Sequence, residues 1–117
     1  MLTFFMKNYK ITFYNDKVYD ETMNLPDGIL ANLLRIFELV EIHGPNLGRP
    51  DSAPLSHGIF EFRAKGKEGI ARSMFVSLKD KEVVVLHTII KKSNKIPKKD
   101  FDLALKRAKE VQNEKRI

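Results

Sequence analysis

The sequence predicts an α+β domain: one small antiparallel sheet with helices on one of its faces. Two observations carry that reading. Apolar residues between Ile29 and Val40 recur at helical spacing, and from Phe60 the period drops to two and holds through Lys91. Strands joined by short polar turns pair as antiparallel neighbours. A run of strands bracketed by helices, rather than alternating with them, marks the α+β class. The expected order is β-α-β-β-β-α within one domain spanning residues 1–117.

Tyr9–Tyr14 is rich in aromatic and β-branched residues and reads as the first strand. Asn15–Met23 is polar and reads as a loop or a short turn of helix. Pro26 suits a first helical turn, and Asp27 offers a capping carboxylate. Ile29, Leu30, Leu33, Leu34, Ile36, Phe37 and Val40 then form a broad core stripe, which Gly44-Pro45 ends. His43–His57 reads as a loop, long for a small domain and of the kind that often serves function; Arg49 is its only basic residue. Next, Phe60, Phe62 and Ala64 alternate with Glu61, Arg63 and Lys65. Gly66–Gly69 is a hairpin turn, Ile70–Leu78 a strand, Lys79–Lys81 a turn and Glu82–Lys91 a further strand. In that strand Val83–Leu86 is continuously apolar, as in a central strand covered on both faces. After the polar connector Lys92–Ile96, a last helix opens at Pro97 and packs through Phe101, Ala104, Leu105, Ala108 and Val111. Its other faces carry Lys98, Lys99, Lys106, Arg107 and Lys109. A sheet covered on one face leaves the other free for a site.

Composition removes several chemistries. The 117 residues contain no Cys, which excludes thiol nucleophiles, disulfides and Cys-based zinc sites and suits a reducing cytoplasm. His43, His57 and His87 lack metal-ligand spacing, and no Gly-rich phosphate loop opens a helix, so no metal and no cofactor are expected. No apolar run approaches the roughly 20 residues of a membrane span. Residues 1–8 are expected to be disordered or to precede the natural start, for which Met6 is a second candidate. Charge is polarised. Residues 1–78 hold nine Lys/Arg and nine Asp/Glu, whereas residues 79–117 hold 12 and 6, so the whole net charge of +6 sits in the last third. Such a field draws polyanions, and the partners it leaves open are nucleic acid, an acidic protein or an anionic membrane surface.

The polar residues of the strands are the candidate site. Glu61, Arg63 and Lys65 share one face of their strand because strand side chains repeat every two. Arg72 either lies at the wet end of the next strand or is set among apolar side chains. His87 and Lys91 share a face of the third, and Lys92 points the other way. These residue types suit phosphodiester cleavage in RNA by the adjacent 2′-hydroxyl. Charge builds up on the phosphorane oxygens, so fixed cations are the main demand, and the arginine fork holds two phosphate oxygens at once. Glu61 or His87 would serve as base, and a Lys or Arg would steady or protonate the leaving oxygen. On spacing alone, Glu61 and Arg63 lining a solvated sheet face is the plainer reading.

The run Leu55-Ser56-His57-Gly58-Ile59-Phe60-Glu61-Phe62-Arg63 resembles a strand of the RelE/HigB-like toxins, in their phage-derived HigB-like branch. Ile70–Phe75, with Arg72, is similar to that family's next strand. Val84–Pro97, with His87, Lys91, Lys92 and Lys95, looks like its basic segment, and Ala104 onward like its closing helix. The resemblance spans about Leu25 to Val111. It implies a RelE-like fold and the toxin of a toxin–antitoxin pair, a metal-independent endoribonuclease that cuts mRNA in the ribosomal A site. It implies roles as well. Arg63 and Arg72 become phosphate and transition-state cations, Glu61 a base or orienter, and Lys91 a charge stabiliser. Lys65, Lys92 and Lys95 become RNA contacts, and His87 matches by position with a structural role equally open. Two positions depart from the family pattern: Ala71 stands where Tyr is frequent and Ile89 where Phe is frequent, which implies weaker base stacking. The implied partners are the ribosome, mRNA and a HigA-like helix-turn-helix antitoxin with an acidic face, all in the cytoplasm. Two alternatives stay open: a ParE-like inhibitor of gyrase, and a phage-derived nucleic-acid-binding accessory protein without catalysis.

Overall fold

The computed structural model describes residues 8–91 and 95–114; Met6 and Lys92 lie outside the described residues. The chain runs β1 (Lys10–Phe13), α1 (Asp16–Met23), α2 (Asp27–His43), β2 (Ser52–Pro54), β3 (Phe60–Gly66), β4 (Gly69–Leu78), β5 (Glu82–Lys91) and α3 (Lys98–Glu114). A single 3-10 turn, Lys79–Lys81, joins β4 to β5. The five strands form one sheet in the order β1-β5-β4-β3-β2. The α+β class and the meander β3–β4–β5 agree with the sequence reading.

The sheet differs from that reading in three ways. It is mixed, because β1 runs parallel to β5, with Ile11 opposite Val83 and Phe13 opposite Val85. It gains β2, three residues paired with Phe60–Phe62 of β3. The helices lie on both faces, not on one. Val83 and Val85 face a core with Ile29, Leu33, Ile36, Phe37 and Val40 of α2 and with Val18 of α1. Val84 and Leu86 face a second core with Met74, Val76 and Ala104, Ala108 and Val111 of α3. The physical reason lies in β5. A strand apolar on both faces needs two covers, at roughly 25 cal/mol for each Å² of apolar surface removed from water, and α3 is the second. Small residues let α3 lie close to the sheet. Three polar ties hold it there: Arg107 Nη1 donates to the Leu86 carbonyl at 2.7 Å, His87 Nε2 to Asp100 Oδ1 at 2.8 Å, and the Tyr14 hydroxyl to Glu110.

Asn15–Met23 is a true helix, whose N-cap Asn15 accepts from Val18 N at 2.9 Å. The α2 cap also differs from expectation. Pro26 occupies the N-cap without a side-chain bond, and the carboxylate at this end comes from Glu68 in the β3–β4 turn, accepting from Gly28 N at 3.0 Å. Backbone hydrogen bonding, first of all from Gly28, holds the Glu68 carboxyl below its ordinary value. The turn can approach because Gly66 has no side chain: a Cβ there would lie 2.5 Å from Ile29 N.

Candidate functional site

The face shared with α3 is only partly covered, and strand register organises what remains. In the β3–β4–β5 ladder Glu61 stands opposite Met74 and Met74 opposite His87; Arg63 opposite Arg72 and Arg72 opposite Ile89; Lys65 opposite Ile70 and Ile70 opposite Lys91. Directly opposed residues share a face, so these nine side chains form a grid of three rungs. A bulge at Met74/Phe75 offsets the register of β4 and β5 there. The alternation on β3 thus collects Glu61, Arg63 and Lys65 as the period of two predicted, and the β3–β4 register adds Arg72 to them.

Burial within the grid is uneven. Glu61 is 3% exposed and Arg72 6%. Arg72 Nη1 lies 3.2 Å from Glu61 Oε2, and Arg63 Nε lies 3.7 Å from Glu61 Oε1. Of the two settings open to Arg72, the structure has the apolar one. Burial pushes the Glu61 carboxyl above the ordinary carboxylate value, against the opposing pull of Arg72, Arg63 and Arg49. Arg63 keeps 29% of its side chain exposed. Lys65 is exposed and Lys91 half-buried. The grid therefore presents cations to solvent above one buried carboxylate.

Beside the last rung opens a cleft of 320 Å³ lined by Ile89, Ile90, Lys91, Lys95, Pro97, Lys99 and Asp100. It brings Lys95 next to Lys91 and adds Lys99, which the sequence reading left on an outer helix face. His87 is bound at Nε2 to Asp100 with 13% of its side chain exposed, and its Nδ1 is buried without a hydrogen-bond partner. Its geometry fastens the first turn of α3 to the sheet.

Ala71 corrects one expectation. It is 1% exposed in the core beneath α2, on the opposite face from the grid, so no side chain there reaches the site. Ile89 does face the site. Arg49 is a residue that sequence reasoning passed over: its charge acts on Glu61, and its only signal was being the sole cation of a long loop. Among the described residues no group of three or more His, Cys, Asp or Glu is placed to hold a metal ion, and no helix is long and apolar enough to cross a membrane.

Residues 20–109 match the profile of the family described as phage derived protein Gp49-like. The chain belongs to the Gp49-like family. The match includes every residue of the grid. No curated protein matches the chain. Among solved structures, the archaeal RelE-RelB complex from Pyrococcus horikoshii contains a similar chain, with a TM-score of 0.54 at 18% identity over 73% of this chain and 97% of that one. At that identity the likeness concerns the fold. The Gp49-like chain is RelE-like in fold, and the toxin-family resemblance read from Leu55–Arg63, Ile70–Phe75 and Val84–Pro97 is borne out.

Proposed function

We propose that this protein is the toxin of a toxin–antitoxin pair and acts as an endoribonuclease on mRNA held in the ribosome. The observation that carries the reading is the grid itself: Arg63, Lys65 and Lys91 present cations around the buried pair Glu61–Arg72, on a sheet face that α3 covers only in part. In this reading Arg63 faces the scissile phosphate and neutralises charge as it develops. Glu61 accepts the proton of the 2′-hydroxyl, through Oε1, the oxygen held only at 3.7 Å. A raised carboxyl affinity for protons makes it a better base near neutrality. The 2′-oxygen bonds to phosphorus, the bond to the 5′-oxygen breaks, and Lys91 steadies and protonates that leaving oxygen. A 2′,3′-cyclic phosphate and a 5′-hydroxyl result. Arg72, buried below, is a positioning residue that fixes the Glu61 carboxylate. Lys65, Lys92 and Lys95 bind the RNA backbone. The ribosome supplies the affinity and orientation that so small a site lacks. The partner is an antitoxin, a HigA-like helix-turn-helix protein whose acidic face meets the basic last third, and the setting is the cytoplasm.

Induced expression without the antitoxin is expected to arrest translation and to leave new mRNA 5′ ends bearing hydroxyls, mapped by sequencing. Arg63→Ala removes both effects. Intact mRNA with altered DNA supercoiling would replace this reading with gyrase inhibition. Harmless expression would leave an RNA-binding accessory protein.

A further inference from the structure

The long loop before β2 ends in a turn held on several sides. Asp51 N and Ser52 N both donate to the Gly48 carbonyl, at 3.1 and 2.9 Å. Ser52 Oγ accepts from Leu47 N and Gly48 N at 3.1 and 3.0 Å. The Asp51 carboxylate takes Arg35 at 2.8 Å, and the Asp51 carbonyl accepts from Arg63 N at 2.9 Å. Arg49 lies in this turn, two residues from the backbone partner of Arg63, and it is exposed. Among the described residues, Arg35 is paired with Asp51, Arg63 and Arg72 with Glu61, and Arg107 with the Leu86 carbonyl. Arg49 alone of the described arginines has no hydrogen bond and no ion pair. A free guanidinium on a fixed backbone loses little freedom on binding and offers two parallel donors to a phosphate.

We propose that Arg49 is a further phosphate-binding residue of the site, taking a phosphodiester beside the scissile one on single-stranded RNA. The proposal rests on the RNA-cleavage reading above. The cations then form a track across the strands, from Lys91 on β5 through Arg63 on β3 to Arg49 beyond the β2 edge. At about 4.8 Å between strands and about 3.4 Å per residue along them, Lys91 to Arg63, two strands and one rung apart, alone spans roughly 12 Å. The turn that carries Arg49 is joined to β3 at Arg63 itself, through the Arg63 N–Asp51 carbonyl bond, which places Arg49 at the β2 edge of the grid.

The test compares wild type, Arg49→Ala, Arg49→Lys and Arg63→Ala. Single-turnover cleavage is measured on mRNA-programmed ribosomes across concentrations, and binding of a 2′-O-methyl RNA dodecamer is measured against salt. A contact made equally in ground and transition states raises half-saturation and spares the plateau rate. Arg49→Ala is therefore expected to raise half-saturation about tenfold, the order of one charge-assisted contact. It should also flatten the salt slope by about 0.7, with Arg49→Lys between. Unchanged half-saturation and slope, with Arg63→Ala impaired, would overturn the role of Arg49 and leave the cleavage reading standing. A lower plateau at unchanged half-saturation would overturn it too. If wild type cleaves nothing, the cleavage reading falls, and the dodecamer slope alone decides for or against Arg49.

Discussion

Removing Arg72 is expected to cost stability before it costs anything else. Its guanidinium is buried and bonded to a carboxylate that is itself 3% exposed. Truncation leaves that carboxylate in a low-dielectric setting with Arg63 as its remaining ion-pair partner. Breaking a buried pair from one side typically costs about 3–5 kcal/mol. Arg63 at 3.7 Å compensates in part, so the lower end, about 3 kcal/mol, applies to Arg72→Ala. At roughly 4 °C per kcal/mol for a domain of this size, Tm falls by about 12 °C. The companion variant removes both charges. Glu61→Leu with Arg72→Met removes both buried charges and leaves Arg63, 29% exposed, to be solvated by water, and such replacements are often neutral or stabilising by about 1–4 kcal/mol. Thermal and urea melts of wild type, Glu61→Leu, Arg72→Met and the double variant form a closed cycle, with an expected coupling of about 2–3 kcal/mol. The double variant should fold like wild type and cleave no RNA, which separates holding the fold from doing the chemistry. An Arg72→Ala protein that melts within about 2 °C of wild type would refute the buried-pair argument.

Further outcomes follow from the same geometry. With Glu61 as base, cleavage falls about tenfold per pH unit as pH drops through its raised carboxyl value; a pH–rate profile shows this in wild type, and any residual rate of Glu61→Gln loses the dependence. The depressed Glu68 carboxyl contributes stability that is present above its unfolded value of 4.5 and is lost as pH falls through the lower folded value. Glu68→Gln should therefore melt lower than wild type at neutral pH, with the gap closing in acid; a gap independent of pH would contradict the capping role. Lys65→Ala and Lys95→Ala should each flatten the salt dependence of RNA binding by about 0.7 with the saturated cleavage rate near normal, and a double variant with an unchanged slope would place both outside the RNA path. Ala71→Gly should leave RNA affinity untouched and lower Tm by an amount set by core packing, whereas Ile89→Ala should weaken RNA binding; the opposite pattern would reverse the faces assigned to the two positions.

The elements that were legible in the sequence are those whose periodicity is long enough to register. Seventeen residues of α2 and the alternating runs of β3 and β4 declare themselves because burial on one face imposes a period. Helix α1 does not: only Val18 and Thr22 of its eight residues are buried. Strand β2 is three residues ending in Pro54 and exists through its pairing with β3. Helix placement was harder still. The double-sided apolar run Val83–Leu86 did imply two covers, yet nothing local in α3 says which face it takes. At the site, the shared face of Glu61, Arg63 and Lys65 followed from spacing. The burial of Glu61 and Arg72 did not, since it depends on the register that sets Arg63 against Arg72 and on what α3 covers. Arg49 enters only once the Gly48–Ser52 turn is closed.

The sheet divides the apolar interior into two compartments of unequal strength. On one side are the large side chains of α2 with Phe62 and Phe75. On the other, α3 contributes two alanines and a valine as its buried residues. Regions with few buried apolar groups open first, so α3 can lift while the α2 side stays folded. Amide exchange should accordingly be faster along α3 than in β4 or β5. The cleft beside Lys91 has one wall in the first turn of that same helix. The cheapest opening of this protein therefore dismantles its candidate binding surface, and a ligand spanning Lys91 and Lys99 would act as a staple, slowing exchange along α3 even in the turns beyond its reach.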